Sequence, residues 1–468
     1  MKLSIIFITF LFLFTGTISG QNLDDYLILA ARNNPDLKAR FLQYQSALER
    51  VPQVGALPDP QLSFSFLLKP MERFSGEQLG SISIMQMFPW MGTLDAAKLE
   101  MAHMAKARYE EFNDAKSSLF FEVKSVWYDL QLLESEMAVT FETIELLKSM
   151  ERVAVARLSG GSQTGSNQIN PVTISSTTSQ DQGNSGSGMG NMTMASSIVP
   201  SSSSSSSMTG MSSSDGMSGS AGMTDILRVQ MEINELQNDM SLLEDKRTVL
   251  IARFNELLNR QRQEMVELPD SLETVSLPID LSVIPDTILS RNPMLQMLSQ
   301  EESAYEAKAE MNRKMGLPMI GVGLQYELFR RGDNSPGMMN GKDMVMPMVT
   351  LSLPVWRKKY NAAVTEAEGM KQSVVYQKQA IENQLLVSYE NAHKDFRDAE
   401  RRAKLYKAQA GLSQQTLNLL LIQYSTEGSN FEEVLRMQQQ LLSYRLNQFK
   451  SIVDGNLAVA AMERLMGR

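Results

Sequence analysis

The sequence contains one pattern twice, and an insert interrupts the first copy. Four short segments of the first copy return in the same order in the second. They are 34–37 with 292–295, 55–58 with 315–318, 88–90 with 354–356, and 225–230 with 433–438. Matching segments in one order indicate two copies of one structural unit, so we expect a duplicated architecture.

The spacing between these segments locates the insert. Leu158 and Asp225 are 67 positions apart, whereas the matching Tyr424 and Glu433 are 9 apart, so the first copy carries 58 more residues here. The additional residues fall within 160–223, a run that is rich in serine, glycine and threonine. This composition predicts a disordered insert in a turn, which leaves the repeated unit intact.

Composition excludes several classes of protein. The 468 residues carry a net charge of −9, which argues against nucleic acid as the partner. Cysteine is absent, which excludes disulfides, thiolate metal sites and an acylated cysteine, and two histidines are too few for a histidine-built metal enzyme. Because we find no phosphate-binding glycine loop and no nucleophile motif, we expect neither a cofactor nor an enzyme activity.

The first 20 residues are typical of a secretory signal peptide. Lys2 supplies the positive charge, 3–14 is apolar, and the small, polar run 15–20 predicts cleavage near Gly20. No other stretch approaches the ~18 consecutive apolar residues of a membrane helix. If the mature chain is inserted in a membrane, it must therefore be inserted as β-structure.

Long helices are predicted for most of both copies. Apolar residues at alternating steps of four and three form a coiled-coil seam within 96–151, and the second copy keeps this register. A helix over 91–158 would be about 100 Å long. Shorter helical patterns lie at 23–51 and 224–263, and at 286–315 and 429–466. The two shorter helices of each copy are together about as long as its long helix. Each copy therefore predicts one long helix lined by two shorter helices placed end to end.

Between the first short helix and the long helix, each copy has strand patterns of period two. In 81–88 and 344–353, small, polar or methionine side chains alternate with aliphatic or aromatic ones. A half-buried soluble sheet gives this pattern, and so does a barrel with lipid outside and water inside. Four strands cannot close a barrel, and open edges are not tolerated in lipid. The secretion signal favours a barrel of twelve strands shared by three chains.

The expected fold class is mainly α with a small β part, in which the duplicated unit forms a long helical barrel and a β-barrel shared between protomers. The predicted boundaries are a signal peptide at 1–20, the first part of repeat 1 at 21–159 with a hairpin at 61–88 and a long helix at 91–158, the insert at 160–223, a return helix at 224–266, a linker at 267–283, and repeat 2 at 284–468 with a hairpin at 319–353, a long helix at 355–425 and a return helix at 429–466.

These residues resemble the TolC family of outer-membrane efflux channels. The resemblance rests on the Asn-Pro pair of each copy, on 57–60, 86–90 and 351–356, and on Tyr424, Gly428 and 433–435. It implies a homotrimer whose barrel sits in the outer membrane of a Gram-negative bacterium and whose helical tunnel reaches into the periplasm. The implied partners are outer-membrane lipid, a periplasmic adaptor protein and an inner-membrane pump such as one of the RND type. The family is not enzymatic.

The resemblance also assigns roles to the turns between the long and return helices. Adaptor contact and channel opening are implied for Leu158, Gly160, Tyr424 and Gly428. The acids that follow, Asp225 and Glu433, resemble the family's aperture-lining acids and would form a ring attractive to cations in a trimer. Arg228 and Arg436 follow one turn later and are candidates to pair with these acids and hold the aperture closed. Ordinary helix capping is the alternative.

Methionine is abundant, with 33 residues against 18 phenylalanines. Those of the insert are Met189, Met192, Met194, Met208, Met211, Met217 and Met223. Thioether sulfur is a soft ligand suited to Cu(I) and Ag(I), and the copper and silver branch of the family also carries methionines. The insert is therefore a candidate collector of these ions, and a spacer with incidental methionines is the alternative. The second candidate is a ladder facing the lumen of the strands, Met85, Met87, Met344, Met346 and Met348, for which packing is equally compatible.

Three functions remain open from the sequence. The first is a trimeric outer-membrane exit duct for Cu(I), Ag(I) or other heavy-metal cations, which would confer copper and silver resistance. The second is the same channel with drugs or other organic cargo. The third is a secreted coiled-coil structural protein without a pore.

Overall fold

The computed structural model describes residues 23–73, 75–160, 218–269, 271–275, 280–332, 341–427 and 431–468, and only the backbone of 157–160, 218–222 and 427. The helices are α1 (Leu23–Asn33), α2 (Pro35–Gly55), α3 (Thr93–Gly160), α4 (Ser218–Leu257), α5 (Ile284–Arg291), α6 (Pro293–Met315), α7 (Arg357–Glu427) and α8 (Phe431–Leu465). The strands are β1 (Gln61–Arg73), β2 (Gly76–Phe88), β3 (Met319–Arg330) and β4 (Met344–Ser352). The fold class, mainly α with a small β part, is confirmed.

The helices pack side by side as a wall of four columns. Column 1 is α2 above α4, column 2 is α3, column 3 is α6 above α8, and column 4 is α7. Column 1 packs on column 2, column 2 on column 3, and column 3 on column 4. Columns 1 and 4 are therefore the two edges of the wall. Within the described ranges, no helix combines the length and apolar character that crossing a membrane would require.

The Asn-Pro pairs are the joints between helices stacked end to end. The Asn292 Oδ1 accepts hydrogen bonds from the Met294 and Leu295 N–H groups at the start of α6, while its Nδ2 donates to the Leu465 carbonyl at the end of α8, at 2.9 Å. Asn34 repeats the arrangement and donates to the Leu257 carbonyl at 3.0 Å. One amide thus caps the helix that follows it in sequence. It also donates to a carbonyl at the C-terminal end of the helix stacked at the same joint, which has no partner within its own helix.

Short helices beside these joints fill equivalent cores in the two repeats. In repeat 1, Tyr26 of α1 packs against Trp127 and Phe254, with ring centroids 5.3 and 5.1 Å from its own. In repeat 2, Ile284 and Ile288 of α5 pack into the corresponding cluster of α7 and α8. The duplication seen in the sequence is thus also a duplication of the packing.

The structure differs from the sequence-based helix boundaries at four places, the first of which is that α4 begins at Ser218, inside the predicted insert 160–223. The patterns at 23–51 and 286–315 are each two helices, because the Asn-Pro joint interrupts the backbone hydrogen bonding. The return helix of repeat 1 ends at Leu257 and not at 263–266. There Asn259 has a positive φ of 53°, and the Asn255 side chain donates to the Arg262 and Glu264 carbonyls, so an asparagine turn ends the helix where no glycine marks it.

The four strands form one antiparallel sheet in the order β1-β2-β3-β4. The two hairpins, one from each repeat, join through the β2–β3 pair. β1 and β4 are the outer strands, so the sheet continues the order of the wall, with first-repeat elements at one edge and second-repeat elements at the other.

Candidate functional site: the two faces of the sheet and the tip of the helices

Paired residues of the sheet alternate between two faces, which we name the polar face and the apolar face. Rows of the polar face are Gln61–Met85–Gly323–Met348, Ser63–Ser83–Gln325–Met346, Ser65–Ser81–Glu327–Met344 and Met87–Gly321–Thr350. Rows of the apolar face are Leu62–Ile84–Leu324–Pro347 and Phe64–Ile82–Tyr326–Val345. Because directly paired residues point to the same side, all five strand methionines singled out in the sequence share the polar face.

The apolar face is the more exposed of the two. Phe64 is 58% exposed, Phe66 77% and Val349 78%, whereas Glu327 on the polar face is 4% exposed. A sheet that packs on a soluble core buries its apolar side chains and exposes its polar ones. The protomer thus presents a contiguous apolar surface, which in a soluble protein marks an interaction site.

Polar side chains hydrogen-bond to one another along the polar face. The Ser65 and Ser81 hydroxyls lie 2.8 Å apart, and the Gln325 amide donates to a Glu327 carboxylate oxygen at 3.0 Å. These bonds give hydrogen-bond partners to polar groups that are partly buried on this face. The polar face is therefore a hydrogen-bonded surface that suits contact with water.

A tryptophan follows each strand pair where the sheet meets the helices. Trp90 comes two residues after β2, and Trp356 comes between β4 and α7. Trp356 is 80% exposed and Trp90 is 42% exposed. Exposed tryptophan at one level of a structure is typical of the boundary between lipid and water.

At the opposite end, the tip of the wall brings the two repeats together. The Arg228 Nη1 on α4 donates to the Glu432 Oε2 on α8 at 3.0 Å. Burial raises the pKa of the Asp225 carboxyl, with Arg228 lowering it and Glu432 raising it. The structure thus brings Asp225, Arg228 and Glu432 into one charged group, whereas the Arg436–Glu433 pair at 3.9 Å is a separate contact within α8.

Glu432 and Phe431 were not singled out in the sequence. Glu432 adjoins the acid Glu433, but its partner lies on another helix more than two hundred residues away. Phe431 packs on Tyr424 with ring centroids 5.1 Å apart, and both belong to the buried cluster of the tip. Tyr424 therefore contributes to packing at the turn.

The remaining candidate residues of the tip and the insert are described only in part. Only the backbone of Leu158 and Gly160 is described, as the last turn of α3. Gly428, Met189, Met192, Met194, Met208, Met211 and Met217 lie outside the described residues, as does the segment 1–20. Met223 is half exposed on α4. Among the described residues, no group of three or more His, Asp or Glu side chains is arranged to hold a metal ion.

No protein-family model and no curated protein matches this sequence. Solved structures do match it over most of its length. The outer-membrane channel OprN matches 95% of this chain and 89% of its own at 14% identity, with a TM-score of 0.69. CusC matches 96% and 92% at 16% identity, with a TM-score of 0.68. The outer-membrane protein VceC of Vibrio cholerae matches 95% and 96% at 11% identity, with a TM-score of 0.67.

These neighbours are outer-membrane channels whose fold joins a helical barrel to a β-barrel. Their identities to this chain are low, so the likeness concerns the fold. It extends over both repeats and over the sheet as well as the wall. The chain therefore has the fold of the TolC-family outer-membrane channels, as the resemblance of its motifs predicted.

Proposed function

We propose that this chain is one subunit of a homotrimeric outer-membrane channel, the passive exit duct of a tripartite efflux system. The observation that carries the proposal is the inverted sheet, in which the aliphatic and aromatic side chains are exposed and the polar ones partly covered. Lipid outside and water inside would satisfy both faces. A secreted structural protein without a pore would leave the exposed apolar face without a partner.

The edges of the sheet favour a shared barrel. β1 and β4 each pair with one neighbour among the described strands. Unpaired backbone groups are not tolerated in lipid, so each edge needs a further strand. Joining β4 of one copy to β1 of the next satisfies both edges by one rotation, and three copies supply twelve strands.

The edges of the wall carry matching apolar seams. The α7 seam consists of the exposed Leu405, Leu412, Leu419 and Ile422, and the α4 seam of the exposed Leu227, Met231, Leu242 and Val249. At 100° per residue, each seam lies on the side of its helix opposite the residues buried in the wall. The spacings are 7, 7 and 3 residues on α7 and 4, 11 and 7 on α4, which are the steps of three, four and seven of a coiled-coil seam and the sum of seven and four. Both edges are thus suited to pair with another helix.

The two seams also lie at the same height in the wall. Glu142 of α3 pairs with Arg445 of α8, and Arg445 donates in turn to Gln414 of α7. On the other side of α3, Glu134 pairs with Arg247 and Glu151 accepts from Gln230, both on α4. Since Glu142 lies between Glu134 and Glu151, Gln414 is level with the middle of the α4 seam. Rotation about a common axis would therefore bring the two seams together without a vertical shift.

The cargo that we propose is a soft heavy-metal cation, Cu(I) or Ag(I). Asp225 and Glu433 would repeat around the axis of a trimer as acids at the aperture, which attracts cations. The Arg228–Glu432 pair links the two repeats there and would hold the tip closed until an adaptor engages it. The periplasmic adaptor and the inner-membrane pump, which supplies the energy, complete the system. Organic cargo such as drugs is the alternative that the sheet and wall leave equally open.

Assembly is tested by charging the α7 seam. The full chain should purify in detergent as a trimer and conduct ions across a planar bilayer. Leu412→Glu with Leu419→Glu should give single subunits without conductance, because carboxylates would replace the apolar seam. The control is Asn418→Glu with Ser425→Glu, which adds the same charge to exposed positions on another side of α7. A wild-type chain that stays a single subunit and does not conduct would contradict the proposal.

Cargo is tested in cells that lack other exporters. Expression of the chain with its adaptor and pump should raise tolerance to copper and silver, and deletion of 163–222 should lower it. Unchanged metal tolerance after the deletion would remove the insert from the proposal. Tolerance raised to drugs and not to metals would favour the organic cargo.

A further inference from the structure

Four methionines surround two glycines on the polar face of the sheet. Met85 of β2 and Met348 of β4 lie in one row, with Gly323 of β3 between them. Met87 pairs with Gly321 in the neighbouring row, and Met346 lies two residues from Met348 on the same face. We call this group the methionine patch. It belongs to two strands of different repeats and to none of the loops.

The glycines make room for the thioethers. A Cβ at Gly321 would lie 2.6 Å from the Met87 Sδ, so this sulfur already occupies the space above Gly321. A Cβ at Gly323 would lie 2.7 Å from the Ile84 carbonyl oxygen and 3.4 Å from the Met85 Cβ, so the strands approach closely here and no side chain stands between Met85 and Met348. The other face of β3 carries Ile320, Val322 and Leu324. Both residues of β3 that lack a side chain therefore lie on the face of the methionines.

Distances across the sheet suit a metal-bridged pair. Neighbouring strands lie about 4.8 Å apart, which places the Met85 and Met348 Cα atoms about 10 Å apart. Unbranched methionine side chains with three rotatable bonds can reach towards each other over a residue that has no side chain. Met87 lies two residues from Met85 on β2, and Met346 lies two residues from Met348 on β4. They flank the row on opposite sides, so either one is placed to add a third sulfur.

Thioether sulfur selects soft monovalent cations. Cu(I) and Ag(I) accept two or three sulfur ligands, whereas Mg²⁺ and Ca²⁺ prefer the oxygen ligands that the serine rows offer. We propose that Met85 and Met348, with Met87 or Met346 as a third ligand, bind one Cu(I) or Ag(I) ion per subunit above Gly323. This deepens the proposed function, on which it rests for access from the lumen, by giving the soft cation a binding site inside the barrel.

The test is titration of the full-length protein in detergent with Ag(I) in chloride-free buffer, followed by calorimetry and native mass spectrometry. Met85→Leu with Met348→Leu should remove one bound ion per subunit, or weaken it at least tenfold. The matched control is Met91→Leu with Met265→Leu, two methionines that are 90% and 80% exposed, which should leave this ion bound. X-ray absorption of the Cu(I)-loaded protein should show sulfur ligands, and the patch variant should bind one Cu(I) ion fewer per subunit.

Leucine keeps the volume and apolar character of methionine, so the patch variant should remain a conducting trimer. Met348→Leu alone, on an outer strand, provides a second variant if the double substitution impairs assembly. Equal Ag(I) binding by the wild type and the conducting patch variant would overturn the site and show that these methionines only pack. A wild type that neither assembles nor conducts would instead contradict the channel, so the two failures are distinguishable.

Discussion

The helical wall and the sheet place their apolar side chains on opposite sides. In the wall, Leu130 and Leu417 are buried between helices, and most charged residues are exposed. In the sheet, Phe64 and Val349 are exposed, and Glu327 is buried on the polar face. The wall thus buries its apolar side chains, as a protein in water does, whereas the sheet exposes them, as a barrel that faces lipid does. Trp90 and Trp356 lie at the junction between these two patterns.

The largest effect is expected from a cavity inside the wall. Leu417→Ala removes a fully buried side chain of the tip cluster and should destabilise the wall by about 2–5 kcal/mol, because the site cannot fully collapse. Thermal unfolding followed by circular dichroism measures the loss. Asn418→Ala, at the next residue and exposed on a side of α7 away from the seam, is the control and should shift the unfolding of the protein far less. Equal shifts would mean that the wall has no distinct interior.

The next effect distinguishes the two faces of the sheet. Leu324→Arg places a charge on the apolar face and should cost about 2–4 kcal/mol in lipid if the residue lies near the midplane. Gln325→Arg places the same charge on the polar face, where water would solvate it. Urea unfolding in lipid vesicles compares the two variants. A soluble sheet would tolerate Leu324→Arg as readily as Gln325→Arg.

The joints between stacked helices should show a smaller effect that is similar in both repeats. Asn292→Ala removes the cap of α6 and leaves the Leu465 carbonyl without its donor, at a cost of about 1–3 kcal/mol. Asn34→Ala should cost a similar amount through the Leu257 carbonyl. Thermal unfolding of both variants is the measurement. A large loss from one and none from the other would show that the repeats are not equivalent at their joints.

The smallest effect is expected at the tip. The raised pKa means that Asp225 takes up its proton at a higher pH than an ordinary aspartate as the solution is acidified. Its charge therefore costs some stability at neutral pH, and protonation on acidification relieves that cost. Reversal potentials across a bilayer should show cation selectivity falling with acidification, and Asp225→Asn should weaken this dependence. An unchanged pH profile in the variant would exclude Asp225 from the conducting path.

The faces of the sheet could be predicted because strand periodicity is local. Met85 and Met348 each lie on the small, polar and methionine side of their own strand's alternation, so each could be placed on the polar face of its own hairpin. Their shared row with Gly323 could not be predicted, since register depends on how two distant hairpins pair. The methionines were therefore visible in the sequence, and the patch that they form was not.

The tip and the joints show the same division. Asn34 and Asn292 identify the repeat, but the helix pattern continues across them, so the break and the bond to a second helix were missed. Arg228 was a candidate to pair with Asp225, one turn before it, with helix capping as the alternative. Its hydrogen bond goes to Glu432, because the tertiary fold brings α4 against α8 at the tip. Such contacts depend on helix packing, which no local pattern records.

The most direct test is cysteine scanning of 320–328, which the absence of native cysteine makes clean. Single substitutions such as Leu324→Cys and Gln325→Cys are labelled with a fluorophore in outer-membrane vesicles. We expect a period of two, with a lipid-dissolved quencher acting at Leu324 and its apolar-face neighbours and an aqueous quencher acting at Gln325 and its polar-face neighbours. Equal aqueous quenching at all positions would contradict it.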